Sequence, residues 1–488
     1  MTDIVLINPG DRRQIFQNLG DDFSAIEPPF WAAVMAAYLR LKDFSVALID
    51  ANAEGLTPEQ TAQRALSLNP VLCAVIVYGS QPSASTQNMT IAGRICRSLK
   101  NADARAVAIA GLHPSALPEQ TLREESVDFV VDGEGPITFE CLIPLLRREQ
   151  CDFANISGLW WRNAEGTIKH TPRASLIDDL DRFLPVAAWD LLPMHLYRAH
   201  NWHCFDNFQQ RSPYAAIYTS LGCPFSCVFC CINAPFGKPG IRFRSPRLVL
   251  EELDLLANAY NVRNIKIVDE LFVLNEKHYM GIVKGLLSRD YRLNIWAYAR
   301  VDTVKIQYLA EMKKAGINWL ALGIESADPG VRDQARKTLR SRDIKNVVKA
   351  IQDEGIRIIG NFIFGLPEDD MDSMRSTLDL AMELNCEFAN FYCAMAYPGS
   401  KLYDMAVKSG WKLPENWHGY SQHAFDTCPL PTRHLTSRQV LEFRDNAFNE
   451  YFANPSYLNM LEAKFGWVVR DHIANMTRMR LKRKLMGT

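Results

Sequence analysis

Short uninterrupted apolar runs alternate with amphipathic stretches from the first residues onward. Residues 4–7, 45–50, 71–78, 106–110 and 127–131 read as strands. Helical periodicity fits residues 28–42, opened by Pro28-Pro29, and residues 58–68, 85–100 and 136–147. Continuously apolar strands alternating with helices predict a doubly wound parallel sheet over residues 1–149, Rossmann-like in class. Ligands of such sheets sit beyond the carboxyl ends of the strands. Those ends carry Asn8, Asp50, Ser80, Gly111 and Gly133, which makes them the candidate ligand edge.

The rhythm breaks over residues 150–212. A hairpin is expected at 158–166, followed by a Pro- and Trp-containing connector. From residue 213 to 400 alternation returns, with strands expected at 215–218, 265–268, 294–298, 319–323, 357–363 and 387–393. Helices fit 246–259, 276–288, 304–314, 342–354 and 371–384, and Ser245 before Pro246 has the form of an N-cap. Six βα units fall short of the usual eight and predict a partial (β/α)6 barrel, with chemistry on the loops after its strands. Residues 401–488 read as a helical C-terminal region ending in a basic run at 478–484, whose default reading is a solvated helix face.

Composition narrows the field. The 488 residues include 54 Lys plus Arg and 55 Asp plus Glu, a formal net charge of -1, which argues against a global electrostatic grip on nucleic acid. No apolar run approaches the ~18 residues of a spanning helix. The acidic start Met1-Thr2-Asp3-Ile4 is unlike a secretory signal, so a cytoplasmic protein without a membrane span is expected. Eight of the twelve cysteines are scattered, and four crowd together at Cys223, Cys227, Cys230 and Cys231. Under reducing conditions such crowding points to metal or redox chemistry.

Cys223-Pro224-Phe225-Ser226-Cys227-Val228-Phe229-Cys230 is a CxxxCxxC loop. Three thiolates can hold three irons of a 4Fe-4S cluster and leave the fourth open to a ligand. A closed zinc site would need a fourth ligand, and none is apparent nearby. The spacing Cys223, Cys227, Cys231 is a conceivable alternative, and inert core thiols are the bland one.

This motif, with Phe229 before its last cysteine, resembles that of the radical S-adenosylmethionine superfamily. The resemblance implies that Cys223, Cys227 and Cys230 hold the cluster and that its open iron chelates S-adenosylmethionine. One-electron reduction then yields a 5′-deoxyadenosyl radical. It also implies cofactor contacts from the strand-end residues Asp269, Glu270, Arg300, Glu325 and Ser326. An electron donor such as flavodoxin or ferredoxin is implied as partner, and the basic tail is a candidate dock for it. A non-catalytic iron–sulfur protein is the rival from another class.

A five-stranded wound domain preceding such a barrel resembles the cobalamin-dependent, methyltransferase-like branch of that superfamily. Asn8, Asp50, Asn52, Ser80, Gly111, His113, Gly133 and Glu134 are then the expected corrinoid-binding positions. Classical carriers use DxHxxG, whose His ligates cobalt, whereas this chain has Asp50-x-Asn52-x-x-Gly55. An amide is a poor cobalt ligand, so no strong protein ligand is expected on the lower face. His113 is a candidate replacement, though a polar contact is its plainer reading. The implied activity is methyl transfer through methylcobalamin to an unactivated carbon, or to phosphorus, of a small-molecule substrate. A non-methylating cyclisation, oxidation or rearrangement is the alternative. The substrate pocket is expected between the two strand-end faces, where Trp189, Trp202 and Trp411 are candidate walls.

Overall fold

A computed structural model describes residues 2–487 apart from 80, 338 and 340. Ser80, one of the expected edge residues, lies outside the described residues. The N-terminal unit is a seven-stranded sheet made of β1 (Thr2–Asn8), β2 (Val46–Asp50), β3 (Pro70–Val77), β4 (Val107–Gly111), β5 (Phe129–Val131), β6 (Leu159–Arg162) and β7 (Ile168–His170). Their order is β2-β1-β3-β4-β5-β6-β7. The first five are parallel, and β6 and β7 join antiparallel beyond β5. The hairpin expected in the connector therefore extends the wound sheet to His170.

The apolar runs explain this arrangement. Successive side chains of β1 alternate between two cores: Ile4 and Leu6 pack with the helix Phe30–Arg40. Val5 and Ile7 pack with Ile95 and Leu99 of the helix Pro82–Asn101. A strand buried on both faces has no solvent side to mark with polar residues.

The second sheet contains six parallel strands: β8 (Tyr214–Ile217), β11 (Asn264–Ile267), β12 (Asn294–Arg300), β13 (Ile317–Glu325), β14 (Arg357–Phe364) and β15 (Phe388–Cys393). They run in the order β15-β14-β13-β12-β11-β8, an open partial barrel. Between β8 and β11, a two-stranded ribbon of β9 (Ser220–Leu221) and β10 (Arg242–Phe243) ties off the cysteine loop. The Ser245 side chain caps the helix Pro246–Ala259 by accepting from the Leu248 amide at 3.2 Å. The barrel helix expected at 304–314 is α-helical over Leu309–Lys314, after two short 3-10 turns.

The C-terminal helix Ser437–Phe452 packs beside β15, and the helices Pro455–Phe465 and Trp467–Arg478 pack on it and on each other. The basic run does not form a solvated helix face throughout. The helix ends at Arg478, and Arg483 is 1% exposed, bound to Asp445 and to the carbonyls of Gln422 and Ala424. Among the described residues, no helix is long and apolar enough to cross a membrane.

Candidate active site

The cysteine loop is held from three directions. Its neck is the β9–β10 ribbon, where Gly222 adopts φ +88°, and an added Cβ there would lie 2.5 Å from the Gly240 carbonyl oxygen. The Asn233 side chain bridges the loop, donating to the carbonyl of Cys223 at 3.1 Å and to that of Phe225 at 3.4 Å. Beneath the loop, the Asp269 carboxylate accepts from the Thr219 amide (2.6 Å), the Thr219 hydroxyl (2.5 Å) and the Ser220 hydroxyl (2.7 Å). Asp269 is only 1% exposed. It braces the chain entering the cysteine loop and is not part of a cavity wall.

Cys223, Cys227, Phe229 and Cys230 line one cavity of about 270 Å³, together with Glu270, Arg300, Glu325 and Lys337. The guanidinium of Arg300 lies 4.0 Å from the Phe225 ring centroid, and its Nη1 is 3.9 Å from Cys227 Sγ. Asp302 orients the same guanidinium through contacts of 2.9 and 3.0 Å. Burial raises the Glu270 carboxyl to about 7 against the opposing pull of Lys266 and Lys337. Glu325 stands at φ +66°, beside a register shift in β13, and is ion-paired with Lys337. A non-glycine residue held in that region costs about 1–3 kcal/mol and persists where its surroundings fix it. Ser326 is fully buried and turned away from the cavity, bonded to Thr377 Oγ1 at 3.1 Å. Cys231 shares the cavity wall but is 3% exposed, whereas the other three cysteines are partly open.

A second cavity of about 330 Å³ reaches from the carboxyl edge of the wound sheet into the barrel. Asn8 and Asn52 stand at its edge, and Trp202, Trp296 and Phe388 line its barrel end. Asp50 is fully buried and accepts from Asn8 Nδ2 (2.8 Å), the Ala53 amide (3.1 Å) and the Tyr197 hydroxyl (2.8 Å). Its burial pushes the carboxyl up. Asp50 thus fixes the turn that presents Asn52, which packs so closely on Gly10 that a Cβ there would meet its Oδ1 at 2.3 Å. The two cavities share the walls Gln81, Ser83, Tyr298, Tyr392, Tyr397 and Gln422.

Four other expected residues do not face either cavity. Gly111 lets β4 press against β3, since an added Cβ would lie 2.1 Å from the Val77 carbonyl oxygen. His113 sits on a buried helical turn, edge-on to Trp417 at 4.4 Å, with Nδ1 3.3 Å from Thr86 Oγ1. Burial lowers it to about 3, so it is a neutral polar contact. The Gly133 carbonyl accepts from Tyr78 at 2.6 Å. Glu134 pairs with Arg242 of the ribbon at 2.5 and 3.2 Å, bracing the wound domain against the cysteine loop. Among the tryptophans, Trp202 reaches a cavity, Trp189 donates to Glu252 in the core, and Trp411 packs in a separate apolar cluster.

Spacing alone does not single out Asn233, Lys337 or Lys266. Each depends on a partner that only the fold brings near, and an isolated Asn or Lys carries no motif.

A parallel partial barrel with three open cysteines at its loop face, joined across shared walls to a wound sheet, defines a two-cofactor radical enzyme. A family model described as the radical SAM superfamily matches residues 217–381, and one described as the B12 binding domain matches residues 19–143. The two matched segments give the chain a radical S-adenosylmethionine domain and a cobalamin-binding domain, and its cofactors are a 4Fe-4S cluster, S-adenosylmethionine and cobalamin. It is 29% identical to an uncharacterized methyltransferase of Pyrococcus horikoshii, over 93% of this chain and 94% of the relative. It is 25% identical to the anaerobic magnesium-protoporphyrin IX monomethyl ester cyclase of Rubrivivax gelatinosus, over 90% of this chain and 76% of that one. Its fold matches the radical methyltransferase TsrM of Kitasatospora setae, solved with cobalamin and a 4Fe-4S cluster, at a TM-score of 0.71. That match covers 98% and 99% of the two chains at 16% identity.

The donor sets fit these groups. Three partly open thiols on one wall suit a cluster that keeps one iron for a ligand. The strand-end amides of Asn8 and Asn52, beside walls that include Trp202, Trp296 and Phe388, suit the polar rim and flat face of a corrinoid.

Proposed function

We propose that the protein is a methyltransferase that moves a methyl group through cobalamin to an unactivated carbon, or to phosphorus, of a small-molecule substrate. The observation that carries this reading is the pair of cavities meeting at Tyr298, Tyr392, Tyr397 and Gln422. When bound, the cluster and S-adenosylmethionine supply a 5′-deoxyadenosyl radical, and cobalamin supplies a transferable methyl group.

Cys223, Cys227 and Cys230 would hold the cluster. Arg300, clamped by Asp302 and Phe225, would place a fixed cation beside it. Glu270, Glu325 and Lys337 present both charge signs to the zwitterionic end of S-adenosylmethionine. Asn8 and Asn52 would support the corrinoid edge without supplying a strong ligand to cobalt. The shared tyrosines Tyr298, Tyr392 and Tyr397 would help to shield the space between from water, which protects a radical from quenching. Electrons would come from a flavodoxin or ferredoxin. The setting we propose is the cytoplasm, where twelve unpaired cysteines stay reduced.

The test is product analysis on the anaerobically reconstituted enzyme supplied with a reductant. Methyl transfer predicts S-adenosylhomocysteine together with 5′-deoxyadenosine. Alanine at Cys223, Cys227 or Cys230 should abolish 5′-deoxyadenosine, and Cys231→Ala should leave it intact. Bound cobalt(II) corrinoid should show no nitrogen superhyperfine splitting in its EPR spectrum. Deoxyadenosine without S-adenosylhomocysteine would move the assignment to a non-methylating reaction, the reading that likeness to the cyclase favours.

A further inference from the structure

Deep in the barrel, the larger cavity ends at a charge pair. Lys266 lies on β11 between two isoleucines and is 2% exposed. Its Nζ is 3.0 and 3.2 Å from the two Glu27 carboxylate oxygens, and Tyr214 donates to Glu27 at 3.3 Å. The ammonium also sits 4.8 Å from the Trp296 ring centroid and 5.7 Å from that of Tyr298. Both members of the pair line the cavity, and Glu27 is the only carboxylate among its described walls.

A buried ion pair is a poor stabiliser, because apolar residues of similar size do as well or better. Its placement on a cavity wall therefore points to recognition. The pair carries no net charge but separates a positive from a negative centre. A simple anion drawn to Lys266 would be opposed by Glu27, and a simple cation at Glu27 would be opposed by Lys266. A ligand bearing both charges a few bonds apart satisfies both at once. The neighbouring rings of Trp202, Trp296, Tyr298 and Phe388 offer apolar faces to the rest of such a molecule.

We propose that Lys266 and Glu27 receive the zwitterionic head of a free α-amino acid, with a large apolar or aromatic side chain lying against Trp296 and Tyr298. Tyr298 is also a wall of the cysteine cavity, so a ligand anchored at the pair extends toward the reacting centre. Naming this ligand as the substrate rests on the methyltransferase reading; the binding itself does not.

The test is calorimetric titration of the full-length, anaerobically reconstituted enzyme with no reductant, so turnover plays no part. L-tryptophan and L-phenylalanine are compared with the acids lacking the ammonium (indole-3-propionate, 3-phenylpropionate). They are also compared with the amines lacking the carboxylate (tryptamine, phenethylamine). At least one amino acid should bind, with its acid and its amine each at least tenfold weaker, about 1.4 kcal/mol. Lys266→Met and Glu27→Gln should each weaken the amino acid at least tenfold. The double variant leaves no lone buried charge, so it should recover the thermal stability of the wild type and still fail to bind. Binding of neither amino acid, an acid or amine that binds as tightly as its parent, or full affinity in the double variant would overturn the proposal. A missing S-adenosylhomocysteine product would leave these titrations unchanged, so the two readings fail separately.

Discussion

At the scale of single residues, burial and partners decide what each charged group does. Glu125 lies over Gly93 of the helix Pro82–Asn101, where any added Cβ would collide with its carboxylate. Burial there raises the carboxyl from 4.5 to about 7. A folded-state value above the unfolded one means that the folded protein holds the proton more tightly. Stability therefore falls as pH rises from about 4.5 to 7, and the cost persists above 7. A tenfold change in proton affinity is worth about 1.4 kcal/mol. Glu125→Gln should accordingly raise stability at pH 8 by roughly 1–3 kcal/mol and leave pH 4.5 nearly unchanged. Urea unfolding at the two pH values measures the difference; equal gains at both would show that the carboxylate is not penalised.

At the scale of elements, the ribbon and strand ends show which features reached the sequence and which did not. Periodicity outlined the parallel strands of both sheets because most of their positions are buried and apolar, as in β3 and β4. The capped helix at Pro246 was legible because its cap is local, Ser245 bonding three residues onward. The orientation of strand-end polar groups was not legible. Asp269 turns to Thr219, fifty residues back, and Glu134 to Arg242, 108 residues ahead. A strand-end carboxylate that braces a loop and one that faces a ligand look the same in one dimension. The Glu134–Arg242 pair is 7% and 12% exposed at its side chains. Removing one partner of so buried a pair costs about 3–5 kcal/mol, while removing both is far milder. Arg242→Met should destabilise by that order and release iron faster under a chelator, and Glu134→Leu/Arg242→Met should recover most of the stability. Loss of equal size in the double variant would mean that the pair itself, not the unpaired charge, holds the two elements together.

At the scale of the whole molecule, the chain's two ends meet around the cavities. Arg483 bonds to the Gln422 carbonyl, and Gln422 is a wall of both cavities as well as a bridge to the backbone of Cys393. Gln17, near the other end, bonds to the carbonyls of His423 and Lys482. The tail is thus part of the enclosure around the cofactors. Arg483→Met would leave Asp445 with Arg444 alone and free the segment carrying Gln422. It should lower corrinoid retention severalfold and increase amide exchange over residues 421–424, with cluster content unchanged. Unaltered exchange there would show that the segment holds itself.

The brace from Glu134 to Arg242 also bears on how the enzyme is made. Synthesis runs from the amino terminus, and domains generally fold as units in that order. All seven strands of the wound sheet, and Glu134 with them, are synthesised before Arg242 and the cysteines between β9 and β10. The loop that would accept iron and sulfide is thus expected to take shape against a neighbour already made, with cluster insertion following domain docking. A barrel expressed without its amino-terminal half would meet the iron–sulfur assembly machinery with that loop unbraced.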